Sequence, residues 1–433
     1  MPEPDTLSWL PDAPLDPHPA LTWLVECCFD LAVRSLYRRE VCIAEDYSLD
    51  PGMLVVSNHQ HDADVPIITS SLCRREGVHL RWPLPFCAAR EDMFQPGFLG
   101  KLLAHWPAPL PAVLACVPLR WLWRIVRVRP LRRVRELSFG EALAECTNCE
   151  AVARDAHRAL NARGKREVAA RLGEVPVRLE RLLADSRIDD LRHAVWGLRR
   201  LAPEARAALA PRLRADIEAQ LASLASLLNA GRVVFIAPEG ANSESGAFGR
   251  MRAGAWRISR LVQERPAVLP VALSYDPLDA GRLRAVVRVG RPLRGLDCPE
   301  RRDFDSALRR HILDVYTVTP SHLASRFLVA GPQRFRARDL AAWLERGAAA
   351  VARAGLTADP LLKRADVVSL AERRLAWLAR RGLVGREGDW CLNRWPRDAA
   401  PGWKTPANIV RYLDNALESL AADRPPLWSE LWP

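Results

Sequence analysis

The stretch M-L-V-V-S-N-H-Q-H-D-A-D, residues 53–64, predicts a buried strand that ends in a polar turn. Its first four residues are apolar and follow the turn formers Pro51 and Gly52, a pattern typical of strands buried on both faces. Histidine and aspartate residues come directly after this run. The segment therefore predicts that one edge of a sheet presents chemically active side chains.

The same form recurs at residues 229–240, where a turn and the apolar residues 233–236 precede Pro238-Glu239-Gly240. Further strands are predicted at residues 267–274 and Leu283–Val289. Helical stretches separate the predicted strands, and this alternation indicates an α/β fold.

Changes in composition divide the chain into three parts. Residues 1–52 form an N-terminal segment in which the mostly apolar residues 20–36 fit a helix at a membrane interface and a buried core equally well. Residues 53–294 form the α/β domain, with a helical insertion at about 135–228. Residues 295–433 are predicted to be a mainly helical C-terminal domain, with a hairpin at 385–391 in a winged-helix-like pattern.

Basic residues exceed acidic ones by 63 to 51, which gives a net charge of +12. This excess favours anionic partners, namely phospholipid headgroups, phosphate-bearing substrates, an acidic carrier protein or nucleic acid. Residues 1–16 lack the basic and then apolar order of a secretory signal, so we expect a cytoplasmic location.

The sequence contains no membrane-spanning stretch, because prolines interrupt the best candidate, residues 102–119. Trp121, Leu122 and Trp123 precede six arginines within residues 124–135. Apolar side chains beside basic ones are typical of interfacial binding. We therefore expect peripheral binding to an anionic membrane surface.

His59 and Asp64 are five positions apart, so a regular helix or strand would point them in different directions. Contact between them requires a strand-to-helix turn, and Pro66 favours a helix that begins near Asp64. A carboxylate facing an imidazole fixes its tautomer and raises its basicity, as in base-assisted acyl transfer. The alternative is an N-cap role for Asp64 and a surface position for His59.

Two other polar side chains lie in the same turn. We expect His61 and Asp62 to be solvated loop residues. Together with His59 and Asp64 they could in principle ligate a metal, but we predict no metal site.

A second motif, F-I-A-P-E-G-A-N-S at residues 235–243, ends a strand in a Gly-containing turn that bears a carboxylate. Together with the N-H-x-x-x-x-D pattern of residues 58–64, it resembles the glycerolipid acyltransferase family, which includes glycerol-3-phosphate and lysophosphatidate acyltransferases. Residues 269–273 and 287–293 resemble two later strand blocks of that family. The resemblance covers residues 53–293 apart from the insertion.

The resemblance implies an O-acyltransferase with a mixed sheet flanked by helices. Such an enzyme moves a fatty acyl group from acyl-CoA or acyl carrier protein to the hydroxyl of glycerol 3-phosphate or a lysophospholipid in phospholipid synthesis, without a further cofactor. His59 would be the general base and Asp64 its orienting partner. The substrate-binding residues implied are Arg127, Arg129, Glu239, Gly240, Ser243 and Arg252.

The chain departs from the family after Glu239-Gly240. The family usually has Thr-Arg-Ser where this chain has Ala241-Asn242-Ser243, so one arginine expected to face phosphate is missing. An acceptor without phosphate is therefore an alternative. Residues 317–323 resemble the C-terminal region of the larger glycerol-3-phosphate acyltransferases, which favours glycerol 3-phosphate.

A different alternative is a nucleic-acid-binding protein that uses the basic excess and the winged-helix-like segment. The simpler interpretation of the arginines in that segment is the solvated face of an amphipathic helix, so we expect nucleic acid not to be the partner. The arginines concerned are Arg373, Arg374, Arg380 and Arg381.

Overall fold

The structure is a computed structural model. The residues it describes are 19–44, 49–72, 75–76, 79–80, 85–90, 127–131, 134, 137–152, 154–192, 194, 196–296, 298–364, 366–424 and 431. They belong to two compact units. Described residues 89–90 and those between 129 and 223 belong to the first unit, and the others belong to the second.

Seven of the described strands form one mixed sheet in the order β1-β9-β8-β2-β7-β5-β6. The strands β2, β7 and β8 run parallel to one another, and β9 pairs antiparallel with β8. The described strands are β1 Tyr37–Ile43, β2 Leu54–Ser57, β3 Arg75–Glu76, β4 His79–Leu80, β5 Phe86–Arg90, β6 Val128–Leu131, β7 Val234–Ile236, β8 Val268–Asp276, β9 Leu283–Val289, β10 Thr317–Val318, β11 Arg334–Phe335, β12 Thr357–Ala358, β13 Val384–Glu387 and β14 Trp390–Asn393.

Helices lie between β2 and β3, between β6 and β7 and between β7 and β8, and the predicted α/β class with a mixed sheet flanked by helices is confirmed. The four predicted strands correspond to β2, β7, β8 and β9, with ends displaced by at most two residues. The described α-helices are α1 Pro19–Leu36, α2 Asp64–Leu72, α3 Phe139–Thr147, α4 Ala156–Ala159, α5 Ala162–Leu172, α6 Leu179–Ala184, α7 Asp189–Arg192, α8 Pro203–Asn229, α9 Gly254–Leu261, α10 Arg301–Asp314, α11 Pro320–Ala330, α12 Ala337–Arg353, α13 Leu361–Arg364, α14 Val367–Arg380 and α15 Pro406–Asp423.

The central strands β2, β7 and β8 are buried along their whole length. Their apolar, β-branched side chains suit a sheet covered on both faces, and for that reason they appear in the sequence as continuous apolar runs. Because parallel strands end at the same edge, the segments after Ser57 and Ile236 emerge side by side.

The N-terminal segment contains a strand in addition to the predicted helix. Helix α1 is followed directly by β1, which pairs parallel with β9, so the sheet begins before residue 53. The sequence of this strand, Y-R-R-E-V-C-I, contains three consecutive charged residues, so it lacks the apolar run that predicts a buried strand. All three form ion pairs, Arg38 with Glu40 at 3.5 Å, Arg39 with Asp30 at 3.1 Å and Glu40 with Arg284 at 2.5 Å.

The described residues between 129 and 223 have a core of their own, to which α3, α5, α6 and the first half of α8 contribute. Phe139, Leu143, Leu179 and Leu209 are fully buried within it. The helical insertion predicted at about 135–228 covers most of this segment.

The C-terminal part is mainly helical, with short strands at its turns. Strands β13 and β14 form an antiparallel hairpin that β11 extends to three strands, next to α14. The hairpin predicted at 385–391 is therefore present. Among the described helices, none combines the length and the apolar character that crossing a membrane requires.

Candidate active site

His59 and Asp64 meet at the sheet edge where β2 leads into α2. Strand β2 ends at Ser57, and α2 begins at Asp64, in agreement with the position expected from Pro66. His59 Nδ1 lies 3.0 Å from Asp64 Oδ2. With Nδ1 donating to the carboxylate, Nε2 is the ring nitrogen left to exchange a proton with another molecule.

Asp64 is 1% exposed, and three further donors fix its carboxylate. Oδ2 accepts from the backbone N–H groups of Gln60 at 2.5 Å and His61 at 2.9 Å, and Oδ1 accepts from the Tyr275 hydroxyl at 2.5 Å. Burial, and then the adjacent carboxylate, raise the pKa of Tyr275 well above its ordinary value, which keeps this hydroxyl a donor. An N-cap side chain accepts from backbone N–H groups that follow it in the helix, whereas the backbone donors to Asp64 precede it. The N-cap alternative for Asp64 is therefore wrong.

Asn58 fixes the direction in which this loop leaves β2. Its Nδ2 donates to the Leu273 carbonyl at 2.9 Å, and its Oδ1 accepts from the Leu273 N–H at 2.9 Å. Both ends of the buried amide are satisfied by strand β8. The neighbouring His59 is consequently held at a defined height above the sheet.

Glu239 joins the two loops that follow β2 and β7. Its Oε1 accepts from the His59 backbone N–H at 3.1 Å, and its Oε2 accepts from the Gly249 N–H at 2.6 Å. Burial raises the pKa of Glu239, while the two backbone N–H donors act in the opposite direction. The contacts described for this carboxylate therefore position His59.

Gly240, Ser243 and Arg252 lie around the same turn. Gly240 has a φ of +74°, and a Cβ there would approach Arg252 Cγ to 3.0 Å, so the turn requires glycine. The Ser243 N–H donates to the His59 carbonyl at 2.8 Å, and its hydroxyl donates to the Ala247 carbonyl at 2.7 Å. Arg252 is exposed, and its Nε lies 3.4 Å from the Glu239 carbonyl. Among Gly240, Ser243 and Arg252, it is therefore Arg252 whose side chain can contact a bound substrate.

Arg127 and Arg129 are both buried. Arg127 precedes β6 with a φ of +58°, its carbonyl accepts from the Cys87 N–H at 2.9 Å, and its guanidinium lies 5.5 Å from the centre of the Phe86 ring. Arg129 lies within β6 and belongs to the other compact unit. The contacts described for Arg127 are therefore with β5.

His61 is half-buried, so the expectation that it is a solvated loop residue is wrong. Its ring packs edge-on against Tyr275 and Trp403, with centroids 5.7 and 5.2 Å away. Asp62 is exposed, as expected, and accepts a hydrogen bond from the Asn242 amide. The aromatic contacts of His61 come from residues more than 200 positions away, which no local pattern reveals.

A buried polar network, missed in the sequence, supports the loop from below. Gln60 Nε2 lies 3.0 Å from the Tyr316 hydroxyl, which lies 2.9 Å from His322 Nε2. His322 Nδ1 accepts from the Thr319 N–H at 3.2 Å, which leaves Nε2–H to donate to Tyr316. Burial lowers the pKa of His322 to about 4, so it is neutral near pH 7. The T-x-x-H spacing at the start of α11 was the available signal.

The final helix also contacts the loop after β2. The Tyr412 hydroxyl donates to the Gln60 carbonyl at 3.1 Å. Trp403, just before α15, packs against Tyr412 and Tyr275 with centroids 5.2 and 5.4 Å away. The candidate site is therefore completed by residues from the last forty positions described.

The four C-terminal arginines have different environments. Arg374 is fully buried and pairs with Asp276 and Asp279, each at 2.6 Å, so the solvated-face interpretation is wrong for it. Arg373, Arg380 and Arg381 are exposed, as expected. Of these four arginines, Arg373, Arg380 and Arg381 could belong to a nucleic-acid footprint.

Within the described part of the chain, no group of three or more His, Cys, Asp or Glu side chains is arranged to hold a metal ion. No protein-family model matches the sequence, and no curated protein matches it.

Proposed function

We propose that this protein is an O-acyltransferase that moves a fatty acyl group from acyl-CoA or acyl carrier protein to the hydroxyl of glycerol 3-phosphate or a lysophospholipid. The observation that supports the proposal best is the 3.0 Å contact between His59 Nδ1 and a buried Asp64 carboxylate. It lies outside the carboxyl ends of parallel strands, where α/β proteins bind ligands.

In the proposed reaction, His59 Nε2 takes the proton of the acceptor hydroxyl. The hydroxyl oxygen forms a bond to the thioester carbonyl carbon, and the carbon–sulfur bond breaks as the intermediate collapses. The leaving thiolate takes the proton from the imidazolium. Asp64 stabilises that imidazolium through Nδ1–H, and no acyl-enzyme forms.

The proposed oxyanion donors are backbone N–H groups of the turn after Glu239. The N–H groups of Gly240 and Ser243 are used within the fold, by the carbonyls of Ala237 and His59. Those of Ala241 and Asn242 are therefore the proposed donors to the oxyanion.

The acceptor phosphate is proposed to meet Arg252, which is exposed beside Gly240. Arg127 and Arg129 remain proposed phosphate ligands from the family resemblance. Asn242 stands where the family pattern has an arginine, and its amide donates to Asp62. An acceptor without phosphate therefore remains the alternative.

A peripheral position on the cytoplasmic face of a membrane is part of the proposal. Helix α1 exposes apolar side chains, with Leu31 and Leu36 at 67% and 65% exposure and Trp23 at 38%. Arg34 and Arg38 lie beside them and are also exposed. An apolar face with adjacent basic residues fits the boundary of an anionic bilayer.

A nucleic-acid-binding function is the second candidate, favoured by the hairpin β13–β14 next to α14. Burial of Arg374 in ion pairs weakens it, since that side chain cannot contact phosphate. Retention on DNA that falls with rising salt, in a protein without acyl transfer, would favour this candidate.

Release of free thiol from acyl-CoA or acyl carrier protein, measured across a panel of acceptor alcohols, tests the proposed activity. Acceptor-dependent release that is lost in His59→Ala is expected. Release that needs no acceptor, or that persists in purified His59→Ala, would contradict the proposal.

A further inference from the structure

A cavity of about 360 Å³ opens beside the candidate site, within the same compact unit. The turn between β8 and β9, the end of α14 and Trp403 form its walls. Its volume lies in the lower range for small-molecule sites. The side chains that decide what it can bind are Trp377, Trp403, Arg380, Arg381 and Asp279.

The cavity has a cationic rim. Asp279 lies 2.6 Å from the buried Arg374, which it shares with Asp276, and 4.0 Å from Arg373, so two guanidinium groups offset its charge. Arg380 and Arg381 are exposed, and neither forms an ion pair with a described residue. An anion that enters the cavity would meet two uncompensated guanidinium groups, which are well suited to phosphate oxygens.

The cavity also offers aromatic surface. The Arg381 guanidinium lies 4.0 Å from the centre of the buried Trp377 ring, which holds that cation near the cavity. Trp403 is half-buried and also lines the cavity. Indole and guanidinium planes together are the surfaces on which nucleobases stack.

Trp403 connects this cavity with the loop that carries the candidate base. Its ring packs against His61, two residues after His59, and against Tyr275, whose hydroxyl donates to Asp64. A ligand whose head fills the cavity could therefore extend an arm past Trp403 toward His59. A thioester of coenzyme A has this form, because its pantetheine arm separates the adenosine phosphates from the thioester.

We propose that this cavity binds a nucleoside phosphate, the adenosine 3′,5′-bisphosphate head of a CoA thioester. The identity of the whole ligand rests on the proposed acyl transfer, whereas nucleotide binding to the cavity does not. An acyl carrier protein presents the same arm without adenosine. The cavity therefore selects CoA as the donor.

Direct titration of the full chain with adenosine 3′,5′-bisphosphate, CoA, adenosine and inorganic phosphate tests the proposal, with calorimetry as the readout. The bisphosphate and CoA are expected to bind comparably, and adenosine or phosphate alone at least about tenfold more weakly, because each lacks one of the two contacts. Inorganic phosphate that binds as tightly as the bisphosphate would overturn the assignment.

Arg380→Gln and Arg381→Gln should each weaken bisphosphate binding about tenfold or more, since a charge-assisted hydrogen bond to phosphate is lost. Arg386→Gln is the control, because Arg386 is also exposed but does not line the cavity. Equal affinity in Arg380→Gln, Arg381→Gln and Arg386→Gln would overturn the proposal. Both cavity arginines are exposed, so folding of the variants is not at risk.

Parallel transfer assays separate the two proposals. Bisphosphate binding that depends on Arg380, in a protein without acyl transfer, would support the cavity and remove the proposed activity. Acyl transfer with no bisphosphate binding would retain the activity and overturn the cavity assignment.

Discussion

Two histidines, His59 and His322, lie near Gln60, the first as its neighbour in sequence and the second through the Tyr316 hydroxyl, and they have different contacts. His59 is 14% exposed and pairs with the carboxylate of Asp64, and its Nε2 is left for another molecule. His322 is fully buried, accepts from the Thr319 N–H and contacts the Tyr316 hydroxyl, so both ring nitrogens are used by neutral groups. The first can take up a proton and the second cannot without losing a bond.

The difference shows that partner chemistry and access, not residue type, separate a candidate base from a structural histidine. A carboxylate stabilises the imidazolium that proton transfer creates. Neutral hydroxyl and amide partners in a dry site favour the neutral ring, in accord with the pKa of about 4 at His322. Substitutions at the two positions should therefore change different properties.

The largest effect is expected at His59. His59→Ala should lower acyl transfer about 10³-fold or more, because a general base contributes on that order, while the melting temperature should change little. His322→Gln should leave transfer at neutral pH close to that of the wild type. Steady-state turnover and thermal unfolding of both purified variants measure the contrast. Near-normal transfer in His59→Ala would remove the distinction.

Asp64→Asn should lower transfer about 10²-fold, because the amide keeps an acceptor for the loop N–H groups but removes the charge that stabilises the imidazolium. The matched control is Asp62→Asn, an exposed residue of the same loop. Equal rates for the two variants, measured with saturating donor and acceptor, would mean that Asp64 only shapes the loop.

The His322 network should appear in the pH dependence of stability. The folded pKa is lowered from 6.5 to about 4, so the unfolded chain takes up a proton first as the pH falls. Stability is therefore lost between about pH 6.5 and 4, by about 3 kcal/mol, and the loss is complete below pH 4.

His322→Gln is the matched variant for this prediction. Glutamine at this position can still accept from the Thr319 N–H, as in other capping boxes, but does not titrate. Raised pKa values at Glu239, Asp359 and Asp414 act with the opposite sign in both proteins. The difference between wild type and variant in denaturant unfolding at pH 7 and pH 4 isolates His322. An equal pH dependence in the two proteins would contradict the assignment.

Substitution of Glu239 tests how far the position of His59 depends on the hydrogen bond from its backbone N–H to this carboxylate. Glu239→Gln leaves one oxygen for two backbone donors, so one buried N–H loses its partner at a cost of about 1–3 kcal/mol. Turnover should fall about tenfold as His59 is less well held, with the acceptor KM little changed. Glu244→Gln, an exposed position in the following turn, is the control. A change in KM alone would indicate that Glu239 contacts substrate.

The sequence was sufficient for the parts of the fold that depend on local pattern. Uninterrupted apolar runs revealed β2, β7 and β8, an alternating pattern revealed β9, and Pro66 placed the start of α2. The spacing of His59 and Asp64 then required the turn that the structure contains. Strand β1 escaped because its charges are neutralised by Asp30 and Arg284, partners that are not its neighbours in sequence.

The supporting residues could not be found in the same way. Tyr275, Tyr316 and Tyr412 reach Asp64 and Gln60 from 211, 256 and 352 positions away. Such contacts are created by folding of the C-terminal part onto the sheet edge, and local periodicity carries no information about them. The burial of Arg374 was not predicted for a related reason. Helical periodicity places it on a solvated face, whereas Asp276 and Asp279 compensate its charge in the buried position.

The smallest effect is expected for membrane binding, because the proposed reaction at His59 requires access to a fatty chain in a bilayer. Trp121, Leu122, Trp123 and most of the arginines between 124 and 135 lie outside the described residues. The exposed apolar side chains of α1 are a described surface on which the same expectation can be tested.

Leu31→Glu should weaken binding to anionic vesicles about tenfold, because an inserted leucine is worth about 1.5–3 kcal/mol and the new carboxylate is repelled by the lipid. Val177→Glu is the matched control, since Val177 is 65% exposed against 67% for Leu31 and belongs to the other compact unit. Co-sedimentation with neutral and anionic vesicles at low and high salt measures both variants. Wild-type binding should require anionic lipid and weaken with salt, since basic side chains contribute about 1 kcal/mol each near such a surface. Equal losses in the two variants would show that α1 is not the contact, and recovery in the supernatant under all four conditions would contradict membrane binding itself.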